Sequence, residues 1–379
     1  MQIQAFETEH FFARYEFNTP YLLCSSDCET MTVRALLDLA GKSLEGLGAL
    51  HLGYTESQGN PELRSAIART HAAGVVPDDV VVLGSPIEGI YIAAQAMLQP
   101  GDEVVVLTPA YDALINLFEH IVGASNVKRW HFSPTDGQWT LSLDALRALL
   151  TPRTRLVVVN FPHNPTGFLP TRQFQADLVQ IIEERGIYLF YDEMYFGLVQ
   201  PGVEPVPSAA DLSERAVVLS GLSKTHGLPG LRCGWLVVRD EQLRASLINW
   251  KFYTSICPPA PTEFLALTAL EVLDTLRDRN IRRITANLEL ADAFFERWPH
   301  LFDWRRPVAG STALVGFNVP SVSALVPMVA EDAGVLIHPA ATLGSDDQHV
   351  RFGFGRDMFG EGLKRFEQWL QDDPRGVLQ

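Results

Sequence analysis

Six short runs of β-forming residues, separated by segments of helical length, constrain the fold of this chain more than any other feature. They are VVVL (80–83), EVVVLTP (103–109), RLVVVNFP (155–162), IYLFYDE (187–193), AVVLSG (216–221) and CGWLVV (233–238). Between them lie helical patterns such as EGIYIAAQAML (88–98), TRQFQADLVQIIEERG (171–186) and DEQLRASLINWKFY (240–253). Strands that are apolar almost throughout have both faces covered, and strands alternating with helices build a mostly parallel sheet. The expected fold class is therefore α/β.

Open sheets of this kind bind ligands at the carboxyl ends of their strands. Tyr111 follows EVVVLTP, Asn164 follows RLVVVNFP, Asp192 ends IYLFYD and Lys224 follows AVVLSG, so all four belong to one edge. The segment around Lys224, SGLSKTHGLPGLRCGW (220–235), is the densest in chemistry. A lysine at a strand-to-loop junction is rigidly placed for covalent attachment to a carbonyl cofactor. Gly227, Gly230 and Gly234 let the backbone approach a bound group closely. Arg232, eight residues past the lysine, suits a phosphate ester. By spacing alone a surface Lys and Arg in a glycine-rich loop would read the same way.

Beyond Lys251 the pattern changes. Pro258, Pro259 and Pro261 punctuate the chain, and a long helical stretch spans roughly 262–298. A smaller α+β segment follows: STALVGFNVP, a helix near 322–333, GVLIHP, HVRFGFG and a last helix near 360–371. The expected division is a large domain over 45–275, and a small α+β domain made of 1–44 and 276–379.

The 379 residues are 47% hydrophobic, enough for a sizeable core, and global disorder is excluded. A formal net charge of −15 disfavours nucleic acid and anionic membrane surfaces as partners. Neither a signal peptide nor a transmembrane run is legible. Four scattered cysteines suggest a reducing compartment, hence a cytoplasmic location. Cys24 and Cys28 lack a second ligand pair nearby, so no metal site is expected.

Seven segments occur in an order that resembles the fold-type I, pyridoxal-phosphate-dependent class I/II aminotransferases: GYTESQGNPELR, SPIEGIY, LTPAYDA, NFPHNPTGF, YDEMYF, SGLSKTHGLPGLRCGW and VRFGFG. The resemblance covers nearly the whole chain. It implies pyridoxal 5'-phosphate as cofactor, with an amino acid and a 2-oxo acid as substrates. Lys224 would hold the cofactor as a Schiff base and then move the substrate proton. Asp192 would pair with the pyridine nitrogen. Tyr195 and Asn164 would hydrogen-bond the phenolic oxygen, and Tyr111 would stack on the ring. Ser85, Ser220 and Arg232 would hold the phosphate, joined by Tyr54 from a neighbouring subunit, which implies a homodimer with shared sites. Arg351 would bind the substrate α-carboxylate, with Asn164 beside it.

Some positions depart from that pattern. Gly221 stands where the family usually has Ser or Thr, His226 replaces an aromatic residue, and Pro86 sits in the phosphate-binding turn with no N–H to donate. A subgroup that includes capreomycidine synthase-like enzymes, acting on arginine-derived substrates, shares VVVNFPHNP, LSKxxGLPGLRxGW and RxGFG. The alternative to transamination is accordingly a cyclase, lyase or oxidase acting on an arginine-like amino acid. Asp27 and Glu29 are acidic residues in the segment expected to cover the substrate. Tyr21, Leu22 and Leu23 beside them equally suit an apolar pocket. His163 reads as ordering its loop. A ligand-sensing regulator is disfavoured, because the motifs begin near residue 53 and leave little chain for a DNA-binding module.

Overall fold

The computed structural model describes residues 3–72 and 74–376. Its centre is a seven-stranded sheet in the order Val80–Leu83, Gly234–Val238, Ala216–Gly221, Tyr188–Asp192, Thr154–Asn160, Glu103–Thr108 and Val127–His131. Gly234–Val238 runs antiparallel to both neighbours, and the other pairings are parallel. Strands such as VVVL and EVVVLT are buried along their whole length, as double-sided cover requires. The six strands expected from sequence are all present. The seventh, VKRWH, was not legible, because Lys128 and Arg129 break its apolar run at the sheet edge.

Two cores cover the faces of this sheet. One takes in Val81, Leu83, Val104, Val106, Leu219 and Leu236 with helices Pro86–Met97 and Ala113–Val122. The other takes in Val80, Val82, Val105, Val157 and Val218 with helices Arg172–Arg185 and Ala260–Glu271. Odd and even residues of each strand thus feed opposite layers, as a two-residue period demands.

A second, antiparallel sheet has the order Phe302–Asp303, Thr312–Phe317, His349–Gly353, His338–Pro339. Tyr21–Leu22 pairs in parallel with Val335–Leu336, and Leu23, Cys24 and Cys28 share a core with residues 284–370. The helical stretch 262–298 is two helices, Ala260–Glu271 and Leu273–Arg297, joined at Val272. The second helix has Leu276 in the large-sheet core and Ile284 and Leu288 in the small-sheet core, so it bridges the two. The expected boundary at residue 44 needs correction: Leu36 and Leu37 of helix Val33–Leu39 are buried in the large-sheet core, against Ala260–Glu271.

One further helix, α1 (Glu7–Tyr15), has no strong sequence signal. It is held from outside: the Thr8 backbone N–H donates to Asp112 at 3.0 Å, and the Tyr111 hydroxyl donates to Glu9 at 2.7 Å. Among the described residues no helix is long and apolar enough to cross a membrane.

Candidate active site

The carboxyl edge of the large sheet opens into a cavity of about 390 Å³ between the two sheets. Lys224, Asp192, Tyr195, Tyr111, Asn164, Arg232 and Arg351 all line it. The first sheet contributes residues at or just beyond strand ends. Arg351 comes from the middle of His349–Gly353, and α1 covers the opening with Thr8, Glu9 and Phe12.

Lys224 lies three residues past Gly221, in a loop closed by a Leu228 N–H to Leu222 carbonyl bond of 3.0 Å. Its Nζ donates to Ser26 Oγ at 2.9 Å. Burial lowers its pKa, against the opposing pull of Asp27. A buried amine of this kind gives up its proton more readily than a surface lysine, as a nucleophile must.

Asp192 is buried at the strand end and accepts a hydrogen bond from the Met194 N–H at 2.9 Å. Burial pushes its carboxyl up to about 7. Among the described residues it has no ion pair, so the site offers a carboxylate that gains from a cationic partner. Asn160 fastens the floor: its Nδ2 donates to the Asp192 carbonyl at 2.9 Å and its Oδ1 accepts from the Asn164 N–H at 2.8 Å. The Tyr195 hydroxyl, buried near Ser26, has no hydrogen bond of ordinary geometry.

Arg351 is 1% exposed. One terminal nitrogen donates to Asn164 Oδ1 at 3.2 Å and the other to the Cys24 carbonyl at 3.0 Å, while Nε is unpartnered. Burying a guanidinium without a carboxylate partner is costly, which marks a place for an anionic group. Arg232 has a left-handed backbone, with φ 49°, ending the turn Pro229–Leu231. It is exposed and, among the described residues, donates only to the Pro229 carbonyl, at 3.0 Å, leaving donors free.

Three expected residues are not brought to this cavity. Ser220 lines a second cavity with Gly221, Thr225, His226 and Trp235. Strand alternation is the reason: Leu219 faces the site, so Ser220 faces the other layer. Ser85 precedes the helix Pro86–Met97 without capping it by its side chain, and Pro86, Ile87 and Ile90 line the cavity instead. Tyr54 is 91% exposed and outside the cavity.

The substrate-covering acids also differ from expectation. Asp27 lines the cavity but is clamped by Arg356 at 2.8 and 2.9 Å. Glu29 accepts from the Asp357 N–H at 3.0 Å and does not line it. Glu9 and Glu16 do. Ser223, next to the lysine, presents a buried hydroxyl without a partner, and Ser25 and Ser26 approach from the N-terminal segment. No local pattern marks Glu9, Glu16, Ser25 or Ser26, since only chain folding carries them to Lys224. His163 binds Thr166 Oγ1 at 2.8 Å and the Pro109 carbonyl at 3.0 Å, and burial lowers its pKa to about 3. It ties two loops together as a neutral ring.

The departures at Gly221 and Pro86 have a steric account. A Cβ on Gly221 would stand 2.8 Å from the Cys233 carbonyl oxygen and 3.3 Å from Pro86 Cγ. A Cβ on Gly234 would stand 2.9 Å from Pro86. The Cys233 carbonyl chiefly excludes a side chain at Gly221, and Pro86 excludes one at Gly234.

An amine whose pKa is lowered by burial, a buried carboxyl and two arginines with donors to spare line one cavity, a set that suits an anionic, carbonyl-bearing ligand. Residues 20–358 match the family model described as aminotransferase class I and II. The chain is 34% identical over 325 residues to capreomycidine synthase of Streptomyces vinaceus, covering 84% of this chain and 81% of that one. It is 29% identical over 340 residues to the arginine–pyruvate transaminase of Pseudomonas aeruginosa, covering 85% and 84%. A pyridoxal-phosphate-dependent aminotransferase from Streptococcus suis has the same fold, with a TM-score of 0.91, 26% identity and 98% of both chains covered. The chain therefore belongs to the class I and II aminotransferases, of the aspartate aminotransferase-like fold type I. Its cofactor is pyridoxal phosphate.

Proposed function

We propose that this enzyme moves the amino group of an amino acid to a 2-oxo acid, with Lys224 as its covalent and proton-transferring residue. The observation that carries the assignment is the half-buried Lys224, its amine pKa lowered, in one cavity with Asp192, Tyr195, Arg232 and Arg351. When bound, the cofactor supplies a carbonyl that captures the amino group and a ring that accepts the electrons of the broken Cα–H bond.

This chain's own residues do the rest. Lys224 would attach the cofactor, and its amine would carry the proton to and from substrate Cα. Asp192, whose carboxyl is pushed up to about 7 by burial, ionises fully when a protonated ring nitrogen stands against it. Tyr195 would give its free hydroxyl to the phenolic oxygen and Tyr111 would flank the ring. Arg232 would bind the phosphate, with the start of helix Pro86–Met97 supporting it. Arg351 and Asn164, already joined at 3.2 Å, would receive the α-carboxylate.

A homodimer is part of this proposal, supported by exposed apolar residues near Tyr54. Tyr54, Leu52 and Tyr253 are all more than four-fifths exposed, and the Thr55 hydroxyl donates to the Pro258 carbonyl at 3.0 Å, so the two apolar segments adjoin. In such a dimer Tyr54, exposed and outside its own cavity, would be free to serve a partner's cofactor phosphate. The four cysteines are free, which suits a reducing cytoplasm.

The test is product analysis. The purified enzyme, supplied with an amino acid and pyruvate, should yield alanine and the matching 2-oxo acid. The name of the Streptomyces vinaceus relative keeps the cyclase reading in view. Turnover of the amino acid to a cyclised product without alanine would support that reading and reject transamination.

A further inference from the structure

The cavity holds four carboxyl groups, and three have evident duties. Asp192 ends its strand against the Met194 N–H, Glu9 accepts from Tyr111 and Asp27 is clamped by Arg356. Glu16 alone has no hydrogen bond or ion pair to its carboxylate among the described residues. It sits at the C-cap of α1, where its backbone N–H donates to the Phe12 carbonyl at 2.8 Å. Thr8, Phe12 and Glu16 are spaced four apart, so they share one face of the α1 turn, and that face lines the cavity.

The charge around Glu16 is unbalanced. Asp27 and Glu9 repel it, while Arg356, already engaged by Asp27, and Lys224 attract it. Burial and Asp27 together raise its pKa. In the same cavity Ser25, 4% exposed, keeps an unpartnered hydroxyl. An apolar substrate side chain placed here would desolvate a carboxylate and offer it nothing. A cationic one would complete it.

We propose that Glu16 is the specificity residue of the site, and that it receives the guanidinium or ammonium of a basic amino acid while Arg351 receives the α-carboxylate. The proposal rests on the aminotransferase reading above. It concerns which side chain is bound, whichever chemistry follows.

The experiment uses the cofactor-loaded enzyme and follows the change of cofactor absorbance with arginine, lysine, leucine, phenylalanine and glutamate. Wild type should have its highest kcat/KM with arginine or lysine. Glu16→Gln should lower the ratio of kcat/KM for the better basic amino acid to that for leucine by about 10- to 100-fold, as loss of one charged hydrogen bond predicts. The change should fall mainly on KM, and Glu16→Asp should recover part of it. Leucine or phenylalanine outpacing both basic amino acids in wild type would overturn the proposal. So would an equal loss for all five in Glu16→Gln. Both results leave the aminotransferase reading standing. Absence of any absorbance change with all five would overturn that reading and the proposal with it.

Discussion

Lys224 and Asp192 illustrate how burial tunes single groups in opposite senses: it lowers the amine and raises the carboxyl, each toward neutrality. Lys224→Ala should lower turnover by at least about 100-fold, the scale of a lost acid–base group. Borohydride treatment of wild type should fix the cofactor to the peptide containing Lys224, read by mass spectrometry; fixation to another lysine would displace the assignment. Asp192 makes a prediction about the cofactor-free protein. An unfolded aspartate ionises near pH 4, whereas this one does so at about 7. Between those values the folded chain binds the extra proton, so the stability contributed by Asp192 falls as pH rises through that window. Cofactor-free Asp192→Asn should therefore gain in melting temperature relative to cofactor-free wild type from pH 4 to pH 7, then hold its advantage. Glu193, pushed up to about 8 chiefly by burial, acts with the same sign in both proteins, and Asp192→Asn removes only the least of the causes of its shift. A pH-independent difference would show that the carboxyl is not the buried acid described here.

Elements explain what single residues cannot. The strand Ala216–Gly221, the strand Gly234–Val238 and the first turn of Pro86–Met97 meet where Gly221, Gly234 and Pro86 touch. Gly221→Ala places a methyl against the Cys233 carbonyl and should cost about 1–3 kcal/mol, the usual penalty of overpacking. Denaturant unfolding measures it. An unchanged midpoint would mean that the contact relaxes freely. The α1 helix is the opposite case. Its anchors, Thr8 on Asp112 and Glu9 on Tyr111, lie more than 100 residues away in sequence. Lacking a strong local pattern, it is placed by those bonds and by Phe11 and Phe12 packing on His338.

At the scale of the molecule, the site needs two sheets and, on the dimer proposal, two chains. Leu52, Tyr54 and Tyr253 are each more than four-fifths exposed, and the dimer proposal covers them with a second copy. Sedimentation should give a dimer of 42.1 kDa chains at micromolar concentration. Leu52→Asp with Tyr253→Asp should shift it to monomer and weaken cofactor retention, since Tyr54 would lose its neighbour's site. A fully active monomeric wild type would end the shared-site proposal.

The sequence by itself determined the large sheet, its helical cover and the residues at its carboxyl edge. Those depend on local periodicity and on strand-to-loop junctions, which are readable over five to ten residues. Lys224, Asp192, Asn164 and Tyr111 were legible for that reason, and Arg232 and Arg351 through their segments. Ser220 was misplaced because a one-residue step in a strand reverses the face. Ser223, on the cavity side, had nothing but its neighbour to mark it. Glu9, Glu16, Ser25 and Ser26 reach the cavity only because Tyr21–Leu22 pairs with Val335–Leu336 and α1 docks on Asp112. Such long-range pairing leaves no local periodicity, so the tertiary structure alone decided which acids line the cavity.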